Sequence, residues 1–176
     1  MFNFLNTAIR FSICIIFLFI LTLISIPVFL LFLPFRAIRI KLGNIYGKTL
    51  SSVLMFLLGM KLDIRNKERL KSCYPAIYIS NHSSLVDTLI LMNLSPVGTT
   101  SIGKKEVVYV PIFGLAFFLS GHVRIDRKNR EKAVSSLKKA AEDVKKYKIG
   151  LCMWPEGTRS KDGRLIEFKK GFVHLA

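Results

Sequence analysis

From Phe11 to Phe35 the chain carries no charged residue. At 1.5 Å rise per residue, these 25 positions cover about 37 Å of helix, enough to cross a hydrocarbon core of ~30 Å. Pro27 and Pro34 interrupt the run, which suits an embedded hairpin or tilted helix as well as a straight span. A second apolar stretch, Thr49 to Met60, is too short to span alone and fits a helix packed against the first in the membrane interface. Polar residues dominate from Lys61, and the first acid is Asp63. The division expected is therefore a membrane-associated helical segment over 1–62 and a single domain over 63–176.

Within that domain the pattern changes period repeatedly. Ala76 to Ser80 is a short β-prone run, followed by a polar break and then Val86 to Asn93, apolar at near-helical spacing. Thr99 to Gly103 and His122 to Asp126 read as further strands, and Pro111 to Ser120 as an apolar segment stopped by Gly121. Ala133, Val134, Leu137, Ala140, Ala141 and Val144 recur every three or four positions, predicting an amphipathic helix over Arg130 to Lys148 that Gly150 ends. Leu151 to Trp154 reads as a buried strand. Strands alternating with helices predict an α/β domain.

Composition sharpens this picture. Hydrophobic residues make up 51% and the mean hydropathy is +0.41, an excess that the front of the chain accounts for. A cleaved signal peptide is the alternative, but the apolar run is too long, only Arg10 precedes it, and no clear Ala-x-Ala-like site follows. Residues 1–62 contain no acid, while Arg36, Arg39, Lys41 and Lys48 crowd the exit of the run, which predicts that this side is cytoplasmic. The net charge of +16 favours a polyanionic partner, and an apolar anchor beside a basic flank selects a lipid surface. A nucleic-acid partner would rest on net charge alone, with no recognisable motif, so none is expected. Cys14, Cys73 and Cys152 are scattered and lack metal or disulfide spacing, in keeping with a reducing compartment and no metal site.

Three segments carry candidate chemistry. His82 and Asp87 form an H-x4-D pair, in which a carboxylate on one ring nitrogen orients an imidazole base. Residues five apart lie about 140° out of phase on a helix, so the two can meet only if His82 precedes the helix proper. Ser84 to Asp87 equally matches a helix capping box. Pro155-Glu156-Gly157-Thr158-Arg159-Ser160 follows a strand and offers backbone, hydroxyl and guanidinium donors to a phosphate, or else forms a solvated surface turn. Glu156 would repel that anion unless it pairs with a base or accepts from a substrate hydroxyl. Arg127, with Asp126 orienting it, offers a second cationic contact, or the two form an ordinary strand-end ion pair. Lys104 and Lys105 are candidates to reach anionic headgroups, against the plainer reading of a solvated cluster.

Asn81 to Asp87, Gly121 to Arg127 and Pro155 to Ser160, in this order and at these separations, resemble the 1-acylglycerol-3-phosphate (lysophosphatidic acid) acyltransferases and their glycerolipid relatives. The resemblance runs from about Lys67 to Ala176. It implies an α/β domain with a mixed sheet flanked by helices, behind membrane-embedded helices. It implies His82 as general base and Asp87 as its partner, with Arg127, Glu156, Gly157, Thr158 and Arg159 binding the acceptor phosphate. Lysophosphatidate and an acyl thioester, acyl-CoA or acyl carrier protein, are the implied substrates. Neither cofactor nor metal is implied. The apolar stretch Pro111 to Leu119 would line an acyl-chain pocket or simply belong to the core. Arg124 departs from the family's aromatic or apolar residue before Ile-Asp-Arg, which bears on acceptor preference. The chain stops before the family's Val-Pro-containing fourth block and so reads as C-terminally truncated, with an incomplete pocket wall. Such a piece is expected to be inactive or poorly stable, and His82-dependent turnover would overturn that. The rival readings are another glycerolipid or lysolipid acceptor, and a non-catalytic relative that only binds anionic membranes. Richness in Ile, Phe and Lys suggests a bacterial inner membrane.

Overall fold

The computed structural model describes residues 4–160 and 162–170. Helix α1 (Phe4–Leu31) absorbs Pro27 without breaking, and a turn through Pro34 leads directly into α2 (Arg36–Leu57). The two helices form an antiparallel hairpin: Thr22 Oγ1 and Tyr46 OH lie 2.8 Å apart, and Arg10 donates to the Leu57 carbonyl at 2.8 Å. Residues 6–31 are long and apolar enough to cross a membrane. A Schellman motif ends α2, with Gly59 at φ +70° and the Met60 N–H donating to the Met55 carbonyl at 2.8 Å.

The basic segment from Arg36 to Lys48, which separates the two apolar stretches in the sequence, is thus part of the second helix rather than a flank between two. Arg36 donates to the Gly121 carbonyl and pairs with Asp143, and Arg39 donates to the Leu119 carbonyl. Both guanidiniums therefore satisfy carbonyls at the end of α5 (Phe113–Leu119), where a helix presents unpaired acceptors and the negative end of its dipole.

After a short helix α3 (Arg69–Ser72), the chain alternates β1 (Ile77–Ile79), α4 (Val86–Leu94), β2 (Thr99–Lys104), a 3₁₀ turn over Lys105–Tyr109, α5, β3 (Val123–Ile125), α6 (Arg130–Tyr147) and β4 (Gly150–Met153). The α/β architecture is the one expected. Among the described residues every strand pairing is parallel, in the order β1-β4-β2-β3, where a mixed sheet was expected. The reason is connectivity: each of β1, β2 and β3 is followed by a helix that returns the chain to the same end of the sheet before the next strand.

One face of the sheet is covered by α6, whose Ala133, Leu137, Ala140, Ala141 and Val144 pack on Ile102, Val123, Ile125, Leu151 and Met153. The other face meets α2, α4 and α5. Asn44 of α2 is buried there, accepting from the N–H groups of Gly98 and Thr99 at 2.7 and 3.0 Å and donating to the Thr99 carbonyl at 2.9 Å. Helix α1 packs outside this layer, against Tyr46, Leu50, Ala116 and Leu119.

Two local expectations change. Asn129 caps the start of α6, but its end is made by Lys148 in the left-handed conformation at φ 49°, not by Gly150. Gly150 opens β4 instead, where an added Cβ would lie 2.8 Å from Thr99 Oγ1, so close strand packing calls for glycine. The segment Pro111 to Leu119 contributes Ala116 and Leu119 to the core beneath α1. The expected incomplete pocket wall concerns the terminal residues, of which 171–176 lie outside the described residues.

Candidate active site

A wholly parallel sheet brings all its carboxyl ends to one edge, where open α/β folds bind ligands. His82 follows β1, Lys104 ends β2, Asp126 and Arg127 follow β3, and Trp154 through Ser160 follow β4. Four segments far apart in the chain therefore meet along one rim.

His82 lies in the loop before α4, as the five-residue spacing requires. Its Nδ1 stands 3.0 Å from Asp87 Oδ2. The same oxygen accepts the N–H groups of Ser83 and Ser84 at 2.7 and 2.8 Å, and the Val86 N–H donates to Ser84 Oγ at 3.2 Å. The hydrogen bonds of a helix-opening turn and the contact to the imidazole thus coexist: one carboxylate orders the turn and holds the ring. Burial pushes Asp87 upward, but hydrogen bonds from the Ser84 N–H, His82 and the Ser83 N–H prevail and hold it below the ordinary carboxylate range. Against this anion Nδ1 is the protonated nitrogen, so Nε2 carries the lone pair that can accept a proton.

The turn after β4 is clasped to this loop through the backbone of His82. Glu156 is 1% exposed, and its Oε1 accepts the His82 N–H at 3.3 Å. The Ser160 N–H donates to the His82 carbonyl at 2.8 Å. Glu156 therefore faces the histidine loop and is kept from the outer surface of the turn, while Thr158 and Arg159 are exposed there. Gly157 adopts φ +69°, a conformation that disfavours a side chain. Its carbonyl accepts from Arg127, which joins the β3 and β4 ends. Asp126 pairs with Lys105 at 2.7 Å and accepts from the Lys128 N–H, so it does not orient Arg127. Lys104 is exposed at the same rim. Arg124 lies over the Phe118 ring, 4.6 Å from its centroid, covering an apolar surface with its guanidinium.

Two site neighbours escaped the sequence reading. The His82 ring stacks on Trp154 with centroids 4.2 Å apart and planes 13° from parallel. Lys169 folds over the Gly157 turn, within 3.1 Å of where a Cβ would sit, and its N–H donates to the Pro155 carbonyl. Only the proximity of Trp154 to the Pro-Glu-Gly turn hinted at the first. Beside Asp87, a cleft of about 510 Å³ is lined by Leu70, Ile77, Ile90, Leu91 and Leu94. Among the described residues no group of three or more His, Cys, Asp or Glu is placed to hold a metal.

The chain is similar to known proteins in sequence and in fold. Residues 61–176 match the family model described as Acyltransferase. The chain is 45% identical over 149 residues to a 1-acyl-sn-glycerol-3-phosphate acyltransferase of Limnanthes alba, covering 85% of this chain and 52% of that protein. It is 42% identical over 170 residues to the like-named protein of Cocos nucifera, covering 97% and 54%. With that of Escherichia coli K12 it shares 36% over 134 residues, covering 76% and 53%. The chain thus spans about half the length of the curated relatives it matches. The crystal structure of the 1-acyl-sn-glycerophosphate (LPA) acyltransferase PlsC of Thermotoga maritima superposes with a TM-score of 0.63 at 22% identity, over 92% of this chain and 68% of that one, and so shares the fold. A match over residues 61–176, carrying the histidine loop and the Pro-Glu-Gly turn on one rim, places this chain in the acyltransferase family.

Proposed function

We propose that this chain carries the active site of a membrane-associated 1-acylglycerol-3-phosphate acyltransferase, which moves a fatty acyl group from acyl-CoA or acyl carrier protein to the free hydroxyl of lysophosphatidate. The observation that carries the reading is the His82 Nδ1 to Asp87 Oδ2 contact of 3.0 Å at the carboxyl rim of the sheet, beside a cationic turn. His82 Nε2 takes the hydroxyl proton as that oxygen bonds to the thioester carbonyl carbon. The tetrahedral intermediate then collapses, the carbon–sulfur bond breaks, and the imidazolium returns its proton to the departing thiolate. Asp87, held ionised by its donors, stabilises the imidazolium between the two transfers.

The acceptor phosphate is assigned to the exposed side of the Gly157 turn, where Arg159 and Thr158 face outward and Arg127 and Lys169 stand nearby. Lys104 extends the positive rim toward anionic headgroups, while the Lys105 ammonium is held by Asp126. Glu156 supports this site from inside by tying the turn to His82. The apolar cleft beside Asp87 suits an acyl chain. Helix α1 supplies the anchor, and Arg36, Arg39, Lys41 and Lys48 just beyond its apolar run favour a cytoplasmic catalytic face.

The test measures thiol released from acyl-CoA by washed membranes containing the protein, with and without lysophosphatidate. His82→Ala is expected to lower turnover roughly 10²- to 10⁴-fold, and Arg159→Ala mainly to raise KM for lysophosphatidate. Wild-type rates in the His82 variant would end this reading.

A further inference from the structure

Trp154 is the chain's sole tryptophan, and the register of the sheet determines where it goes. Met153 of β4 pairs with Ile79 of β1, and the Ser80 N–H continues toward the Met153 carbonyl at 3.4 Å. The next residue on each strand is thereby brought to the rim, Trp154 on one side and the loop to His82 on the other. The rings meet face to face, 4.2 Å between centroids and 13° from parallel. Among the described residues the buried indole Nε1 has no hydrogen-bond partner, so no such bond accounts for the position of this ring.

A flat ring is oriented only when both its plane and its rotation within that plane are set. The Asp87 hydrogen bond to Nδ1 sets the rotation, and the indole face sets the plane. Neither alone directs Nε2. Asp87 is also a divided partner, since the oxygen facing the imidazole already accepts the Ser83 and Ser84 N–H groups. The indole face carries the negative side of a quadrupole, and tryptophan is the strongest of the aromatic side chains toward a cation. It is therefore placed to attract the positive charge that arises when the imidazole takes a proton.

We infer that Trp154 is a positioning residue for His82, its indole face fixing the plane of the imidazole and stabilising the imidazolium formed during acyl transfer. The inference rests on the proposed role of His82 as base. Among the described residues, the titratable groups facing His82 are Asp87 from α4 and Glu156 from the turn after β4, with Arg127 and Lys169 on the Gly157 side of that turn.

The experiment has an optical and a kinetic arm on the full chain in detergent or membranes. Because Trp154 is the only indole, its emission, excited where the tyrosines do not absorb, reports this stack alone. It is expected to be quenched as the imidazole becomes protonated on acidification, and His82→Asn is expected to remove that step. In the kinetic arm, Trp154→Leu is expected to lower turnover roughly three- to thirty-fold with KM for lysophosphatidate unchanged. The acid limb of its rate profile moves to lower pH, because the imidazolium has lost a stabilising neighbour. Trp154→Phe restores most of the rate. Emission that ignores His82→Asn, or a Trp154→Leu protein with the wild-type rate and profile, overturns the inference. Full turnover in His82→Ala sinks the assignment of the base instead, and the optical arm still establishes whether the rings stack in solution.

Discussion

Helices α1 and α2 sit side by side and belong to the same apolar front of the chain, yet they meet the rest of the protein in opposite ways. The outward residues of α1 are large and apolar, with Phe11, Ile15 and Ile24 all exposed. Helix α2 buries polar groups: Asn44 holds three backbone groups at the edge of β2, Tyr46 meets Thr22, and Arg36 and Arg39 bind carbonyls beyond α5. A polar side chain is buried only where partners await it. The polar positions of α2 therefore make it a layer of the α/β domain, while the exposed apolar surface of α1, long enough to cross a membrane, is what would meet lipid under the function proposed above.

Substitutions that strike the two helices unequally test this contrast. The largest effect is expected at Asn44. Asn44→Leu removes the side-chain partner of the Gly98 N–H and the Thr99 carbonyl and leaves the Thr99 N–H only its 3.2 Å bond to the Pro96 carbonyl, at about 1–3 kcal/mol for each buried group left unpaired, and should be read as a lowered denaturation midpoint in detergent. Gly43→Ala comes next: its Cβ would stand 2.6 Å from Ser120 Cβ and 3.3 Å from His122 Nε2, a crowding worth about 1–3 kcal/mol. Acid should act through the same layer. Burial first, and then the nearby Arg36, lower the His122 pKa to about 4 from an ordinary 6.5. Its Nδ1 accepts the Ser101 N–H, which a protonated ring cannot do. The unfolded chain therefore binds the proton that the fold refuses, so stability is full above pH 6.5 and declines as pH falls toward 4. His122→Gln should flatten that decline. The smallest effect on folding is expected on α1, where Ile24→Asn should change the midpoint by less than about 0.5 kcal/mol while weakening retention in washed membranes. Equal destabilisation by Ile24→Asn and Asn44→Leu would erase the distinction.

The division of labour within α2 was beyond the reach of the sequence. Arg36 to Lys48 reads as a basic flank because its polar residues are satisfied by Gly98, Thr99, Leu119 and Gly121, all more than fifty positions away. The strands and helices of the domain were legible, since period and punctuation are local properties; Val86–Leu94 and Arg130–Tyr147 fall within a residue or two of expectation. The left-handed Lys148 was not, because nothing in lysine announces that conformation. At the site, spacing and loop placement allowed His82 and Asp87 to meet, and the family resemblance implied that they do. The inward turn of Glu156 and the stack on Trp154 were not legible, because both depend on β4 lying beside β1.

That adjacency also orders events in time. Strands β1 and β2 are neighbours in the chain but not in the sheet; the gap between them is filled by β4. During synthesis, the lipid-facing helix and the histidine loop leave the ribosome well before residues 150–153 exist, and until then the loop has neither the ladder of β4 nor the clasp of Glu156 and Ser160. Anchoring can thus precede competence. Under the function proposed above, a nascent chain already at the bilayer would hold an unsupported histidine loop until β4 had been made beside it.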